Sequence, residues 1–207
     1  MPKKNYHHGD LKNSLVSAAI TILAKEGVAG MTLRKVARKA GVSHAAPYAH
    51  FSDKQALIAA ISTEGFRRIY SAMDNAIACY PDDPLDQLVA AAWAYVQFGF
   101  NDPDHFKVTF SSVLEKEKDY PAFVEISQQT FSRVVGIVAA CQRTGILRDG
   151  PPEVLAVGIW AQLHGLVSLL IEGQISHTIL DEHSPREIFV KTLSQFLLVP
   201  VPESILS

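Results

Sequence analysis

Three prolines constrain this chain more than any other feature. Pro84 follows Asp83, Pro103 follows Asp102 and Pro185 follows Ser184. Each pair has the form of a helix start: a side chain able to accept from first-turn N–H groups, then a residue whose missing N–H costs nothing there. Ser184 and Glu187 add the capping-box spacing, and Pro121 and Pro151-Pro152 precede long stretches of helical apolar periodicity. No stretch sustains the apolar/polar alternation of a strand. Asp149-Gly150 runs into Pro151-Pro152 and reads as a loop, not a hairpin. The expectation is an all-α chain of about nine helices.

The first part of the chain follows the same pattern with shorter helices. Leu15, Ala18, Ala19, Ile22 and Leu23 form one apolar stripe on a helix expected from Leu11 to Glu26, ended by Gly27. Thr32 can cap a short helix through Ala40, ended by Gly41. Ser43 can cap the next, reaching His50, and Ser52 with Gln55 has the capping-box pattern that opens a longer helix toward Tyr80. Pro47 disturbs this scheme, because it cannot donate to the Ser43 carbonyl. An irregular or 3₁₀ first turn is expected there.

Two short helices joined by a tight glycine turn can present the second in a DNA major groove. The charge distribution supports that use. Residues 1–65 hold nine Lys and Arg (Lys3, Lys4, Lys12, Lys25, Arg34, Lys35, Arg38, Lys39 and Lys54) against four acids (Asp10, Glu26, Asp53 and Glu64), whereas the rest holds ten basic and 17 acidic residues. A positive head on a negative body suits a polyanion-binding module attached to something else. The expected division is a DNA-binding head over 1–51 and a helical body over 52–207.

Composition excludes several classes. With 48% hydrophobic and 19% charged residues over 207 positions, the chain can bury a core and is not disordered. The basic start has no apolar stretch behind it, so a signal peptide is not expected there. Cys79 and Cys141 lie far apart and are expected to be buried, reduced thiols of a cytoplasmic protein. Val154 to Ile171 carries no formal charge and approaches the length of a membrane span. Gln162, His164 and Ser168 interrupt it, and a helix buried in a core or dimer interface explains it better. No phosphate loop, zinc motif or nucleophile elbow occurs, and His7, His8, His105, His177 and His183 lack metal-ligand spacing. An enzyme is therefore not expected, and no catalytic, metal or cofactor site is assigned. A helical protein–protein adaptor without DNA affinity is the third class to separate.

The segment GMTLRKVARKAGVSHAAPYAHFSDKQALIAAI resembles the DNA-binding segment of the tetracycline-repressor (TetR) family, at Thr32, Val36-Ala37, Ala40-Gly41-Val42-Ser43, Tyr48-x-His50-Phe51 and Lys54-x-x-Leu57. Further on, Trp160-Ala-Gln-Leu-His164-Gly165 resembles the W-x-x-x-H-G (WHG) element of one subgroup of TetR C-terminal domains. The resemblance implies a transcriptional regulator, a repressor released from its double-stranded operator by a small-molecule effector, acting as a homodimer. It implies base-edge contacts from Arg34, His44 and Ala45 and phosphate contacts from Thr32, Ser43, Tyr48, His50 and Lys54. It also implies that Val36, Ala37, Ala40 and Val42 pack the two short helices, with Phe51 anchoring the second.

In the body, Trp93, Phe106, Phe110, Phe131 and Trp160 could wall an effector site, with Gln97 and His164 as orienting groups. His105 and Gln128 are further polar candidates. Aromatic residues at helical spacing serve equally as plain core. Gly158, Ala161 and Gly165 with the stripe Phe189, Leu193, Phe196 and Leu197 could build a dimer interface of two helices from each chain. Their burial within one chain is the alternative.

Overall fold

In the computed structural model the described residues are 8–111 and 117–201, with side chains described from 11 to 111 and from 118 to 201. Lys3, Lys4 and His7 lie outside them, as do the side chains of His8 and Asp10. The described residues form nine α-helices: α1 His8–Gly30, α2 Leu33–Lys39, α3 Lys54–Ala78, α4 Pro84–Asn101, α5 Pro103–Thr109, α6 Pro121–Arg143, α7 Pro152–Ile171, α8 His177–Glu182 and α9 Pro185–Leu193. Short 3₁₀ turns cover Ala46–Ala49 and Glu117–Asp119. Among the described residues the one β-type pairing is an isolated antiparallel bridge between Leu147 and Leu197.

Helix boundaries follow the caps. Asp83 accepts from the N–H groups of Leu85 and Asp86 at 2.9 and 3.0 Å. Ser184 and Glu187 complete a reciprocal capping box: the Ser184 N–H donates to the Glu187 carboxylate at 2.7 Å, and the Glu187 N–H to the Ser184 hydroxyl at 3.2 Å. One expectation is corrected. Ser52 does not open α3; Asp53 does, its carboxylate accepting from the Ala56 N–H at 2.8 Å. Where Ser and Asp compete at adjacent positions, the charged acceptor next to the helix N-terminus makes the stronger bond.

Packing divides the chain into two compact units. The first contains residues up to 66 together with 104–126. Its core joins Leu15, Ala19, Ile22 and Leu23 of α1 to Leu33 and Val36 of α2, to Phe51 in the connection that follows the 3₁₀ turn, to Leu57, Ile58 and Ile61 of α3, and to Val108 of α5. His105 is buried there, its Nε2 at 3.1 Å from the Ile61 carbonyl. Phe66 meets Phe110 and Phe123 edge-on, with centroids 5.4 and 5.7 Å away. Gly65 has a specific cause: a Cβ at that position would collide with the Thr109 side chain.

The second unit contains 67–103 and 127 onward. Here α7 packs on α4 and on α9, and Val96, Ala156, Val167 and Phe189 are fully enclosed. Phe189 packs on Trp93 with centroids 5.0 Å apart, and Leu193 is buried beside it. These two residues therefore serve the body's own core and not a surface stripe, because the α4 ring of Trp93 already covers that face. Phe196 is half-buried, its ring edge 3.5 Å from where a Cβ on Gly158 would stand. That is an ordinary contact distance, so the packing of Phe196 does not itself require glycine at position 158.

The cysteines differ from each other. Cys141 is buried, its thiol donating to the Pro84 carbonyl at 3.1 Å, and burial pushes its pKa up to about 12. Cys79 is exposed, contrary to expectation. It lies one residue past the end of α3, where the chain turns toward α4 and no core covers it.

Candidate nucleic-acid interface and body site

The head is organised around two backbone devices. Gly27 and Gly41 both adopt left-handed backbone, with φ of +65° and +69°, which glycine reaches without steric cost. Gly27 breaks α1 where the sequence places its end. At the second, the Val42 N–H reaches back to the Ala37 carbonyl at 3.0 Å, which closes α2 and redirects the chain. Thr32 begins α2, its hydroxyl accepting from the Lys35 N–H at 3.2 Å. Lys35 in turn pairs with Glu26 at 2.6 Å and holds that carboxyl below its usual range.

The next element is the 3₁₀ turn Ala46–Ala49. Pro47 cannot donate to Ser43, so the Ala46 N–H bonds the Ser43 carbonyl instead at 3.0 Å, one residue earlier than an α-helix would. The Tyr48 N–H bonds Ala45 at 3.2 Å, and the His50 and Phe51 N–H groups both bond Pro47. The helix-starting position falls at Ala45, without a side-chain cap, so Ser43 does not fill the capping role expected of it. Pro47 and Phe51 face the core. Val36 and Ala37 are fully buried, and Ala40 and Val42 pack partly against the same cluster.

This packing leaves several side chains of α2 and the following turn exposed. Thr32, Arg34, Ser43, His44, Ala45 and Tyr48 are exposed, Tyr48 by 57%. Arg38 and Lys39, also exposed, end α2 with positive charge. His50 is half-buried, with its ring 6.3 Å from that of Phe51. Lys54 is half-buried and its ammonium donates to the Val28 carbonyl at 3.2 Å. Chemically, the surface offers a guanidinium, hydroxyls, an imidazole, a phenol and methyl groups on a cationic background. These are the group types that meet phosphate oxygens and base edges.

The residues considered for an effector site fall in both packing units. Phe106 and Phe110 belong to the first, 5.0 Å apart, with Phe106 fully buried. Trp93, Gln97, Phe131, Trp160 and His164 belong to the second. Trp93 is engaged with Phe189, and Gln97 is half-buried on α4. Trp160 gathers two others: its ring lies 6.5 Å from Phe131 and 6.2 Å from His164. His105 sits in the head unit's core, and Gln128 is exposed on α6.

The sequence reading missed Tyr95. Its hydroxyl lies 3.3 Å from the Trp160 indole nitrogen and 2.7 Å from His164 Nδ1. An indole N–H only donates, so Tyr95 accepts from Trp160, and its hydroxyl either donates to Nδ1 or accepts from it according to the His164 tautomer. Burial favours the neutral imidazole ring, lowering the His164 pKa and raising that of Tyr95. The Trp-Ala-Tyr spacing on α4 gave no hint of a partner 69 residues away.

A short helix, a glycine-set turn and an exposed, positively flanked second element define a helix-turn-helix DNA-binding head carried on a helical body. Comparison with known proteins specifies the family. Residues 15–61 match the bacterial regulatory proteins of the tetR family, and residues 88–195 match the tetracyclin repressor-like C-terminal domain. The chain therefore belongs to the TetR family of transcriptional regulators. It is 25% identical over 111 residues to the uncharacterized HTH-type transcriptional regulator YobS of Bacillus subtilis (strain 168), covering 54% of this chain and 57% of that protein. It is 42% identical over 50 residues to the tetracycline repressor protein class A from transposon 1721 of Escherichia coli, covering 24% of this chain and 23% of that one. These alignments span only part of each curated relative. A solved structure of a protein with unknown function from Rhodococcus sp. RHA1 is similar almost throughout, at 30% identity and a TM-score of 0.73, covering 94% of this chain and 97% of that one.

Proposed function

We propose that this chain is a cytoplasmic repressor that binds a double-stranded operator as a homodimer and leaves it when a small, mostly apolar molecule occupies the body. The observation carrying this reading is the joint exposure of Arg34, Ser43, His44, Ala45 and Tyr48 around the Gly41 turn, while Pro47 and Phe51 hold the same turn to the core. In this reading residues 1–51 are the DNA-binding domain and 52–207 serve effector binding and dimerisation. Arg34, His44 and Ala45 meet base edges, and Thr32, Ser43, Tyr48, His50 and Lys54 meet phosphates.

A binding protein and not an enzyme is the class that family membership supports. For dimerisation, α7 supplies the argument. By length and composition it could cross a membrane, yet in this chain it packs on α4 and α9. Of its residues, Ala156, Ile159, Leu163, Leu166 and Val167 are buried within the chain. Val154, Val157 and Leu169 remain exposed on it, and a partner helix would cover such apolar side chains. For the effector, Phe131, Trp160 and His164 with Tyr95 make an aromatic cluster with polar groups in the second unit, and Trp93 and Gln97 are further candidates there. An electrophoretic mobility-shift experiment with the DNA flanking the chain's own gene tests the reading. A retarded, competable complex supports it. No complex at micromolar protein argues instead for an adaptor.

A further inference from the structure

The residues of the 3₁₀ turn allow a more specific statement about what the head reads, resting on the proposed DNA-binding role. A 3₁₀ turn has three residues per revolution, so side chains three apart share an edge. Pro47 occupies the inward edge and is buried. Ala45 and Tyr48 share a second edge, and Ala46 and Ala49 the third. Of these four, Ala45, Tyr48 and Ala49 are exposed and Ala46 is half-buried. The outward surface of the turn is therefore one phenol between two bare methyl groups.

A methyl group cannot donate or accept a hydrogen bond, and it extends no further than Cβ. It lets the backbone come close to the groove floor. In the major groove the one base-edge group it can recognise by contact is the C5-methyl of thymine, which no G·C pair carries. Arg38 and Lys39, both exposed at the end of α2, supply positive charge that would draw the turn toward the phosphate backbone. We propose that Ala45 and Ala49 read thymine methyl groups, so that the half-site is specified partly by apolar contacts to A·T pairs, beside hydrogen bonds from Arg34 and His44. Ala49 thereby joins the reading surface, to which the family resemblance had assigned only Ala45.

The test uses the full-length protein and a pool of randomised duplexes. Sequences enriched by binding define the half-site, and each thymine in it is then replaced singly by deoxyuridine, which deletes only the methyl group. One or two positions per half-site should bind about fourfold more weakly, the effect of one apolar carbon removed from contact. Ala45→Gly and Ala49→Gly should each erase the thymine–uracil difference at one position while leaving it at the other. A half-site without thymine, or one whose affinity is unchanged at every uracil substitution, would overturn the inference while leaving the DNA-binding role intact. A pool showing no enrichment would overturn both. Because the uracil series uses unaltered protein, poor folding of a glycine variant does not affect the decision.

Discussion

The ammonium group of Lys54, the first residue of α3, donates to the main-chain carbonyl of Val28 at 3.2 Å. Val28 directly follows Gly27, where the α1 backbone leaves helical geometry and kinks. The bond therefore ties the end of α1 to the start of α3, the two elements that flank the reading surface. An ammonium has three N–H groups, so this bond leaves capacity for a phosphate oxygen. Lys54→Met should lower stability by about 1 kcal/mol through loss of the tie. It should also weaken binding to every duplex and reduce the salt slope by about one. Urea unfolding together with a salt titration separates the two effects. An unchanged salt slope with lowered stability would make Lys54 purely structural.

The replacement of Ser52 by Asp53 as the α3 cap gives a second contrast. Asp53→Ala should cost about 1 kcal/mol, the usual loss of a helix cap, whereas Ser52→Ala should be nearly neutral. Chemical denaturation of the two variants is sufficient, and the reverse order would restore Ser52 as the cap.

Which parts were legible from sequence follows from the range of the interactions involved. Helix starts at Asp83-Pro84 and Ser184-Pro185, the turn at Gly41 and the 3₁₀ geometry at Pro47 depend on bonds between residues a few positions apart, and all could be read directly. Ser52 and Asp53 could not be ranked, because both are good caps and their competition depends on charge near one helix end. Tyr95 was missed for a different reason: its partners lie 65 and 69 residues downstream, and periodicity does not say which faces meet. Phe189 and Leu193 have the same spacing whether the stripe packs on its own body or on a second chain. Only Trp93, supplied by α4, decides that case.

The Tyr95–His164 bond makes a pH prediction. Burial lowers the folded-state pKa of His164 below the roughly 6.5 of an unfolded histidine. As pH falls through that value the unfolded chain takes up a proton that the folded chain resists, so folding stability declines on acidification. Below the folded-state pKa the decline from this group stops. His164→Gln should flatten this part of the profile between neutral pH and about 5. Urea midpoints for wild type and variant across that range test it, and parallel profiles would rule out His164 as the source.

Dimerisation should be sensitive on α7 rather than at the buried part of α9. Val157 is 48% exposed within the chain and Phe189 is fully enclosed. Val157→Glu should give a folded monomer by light scattering, because it places an unpaired charge in a desolvated contact. Phe189→Ala should instead destabilise the fold by about 3–5 kcal/mol. A Val157→Glu protein that remains dimeric would move the interface elsewhere.

The most direct test of the account measures the affinity of wild type and Arg34→Ala for a selected operator and a scrambled duplex over a range of salt. Wild type should prefer the operator and weaken steeply with salt on both duplexes. Arg34→Ala should lose about 1–3 kcal/mol on the operator and little on the scrambled duplex, relaxing specificity at one base pair of each half-site. Equal losses on both duplexes would contradict Arg34 as a base reader. Wild-type protein that binds neither duplex would contradict the DNA-binding head itself.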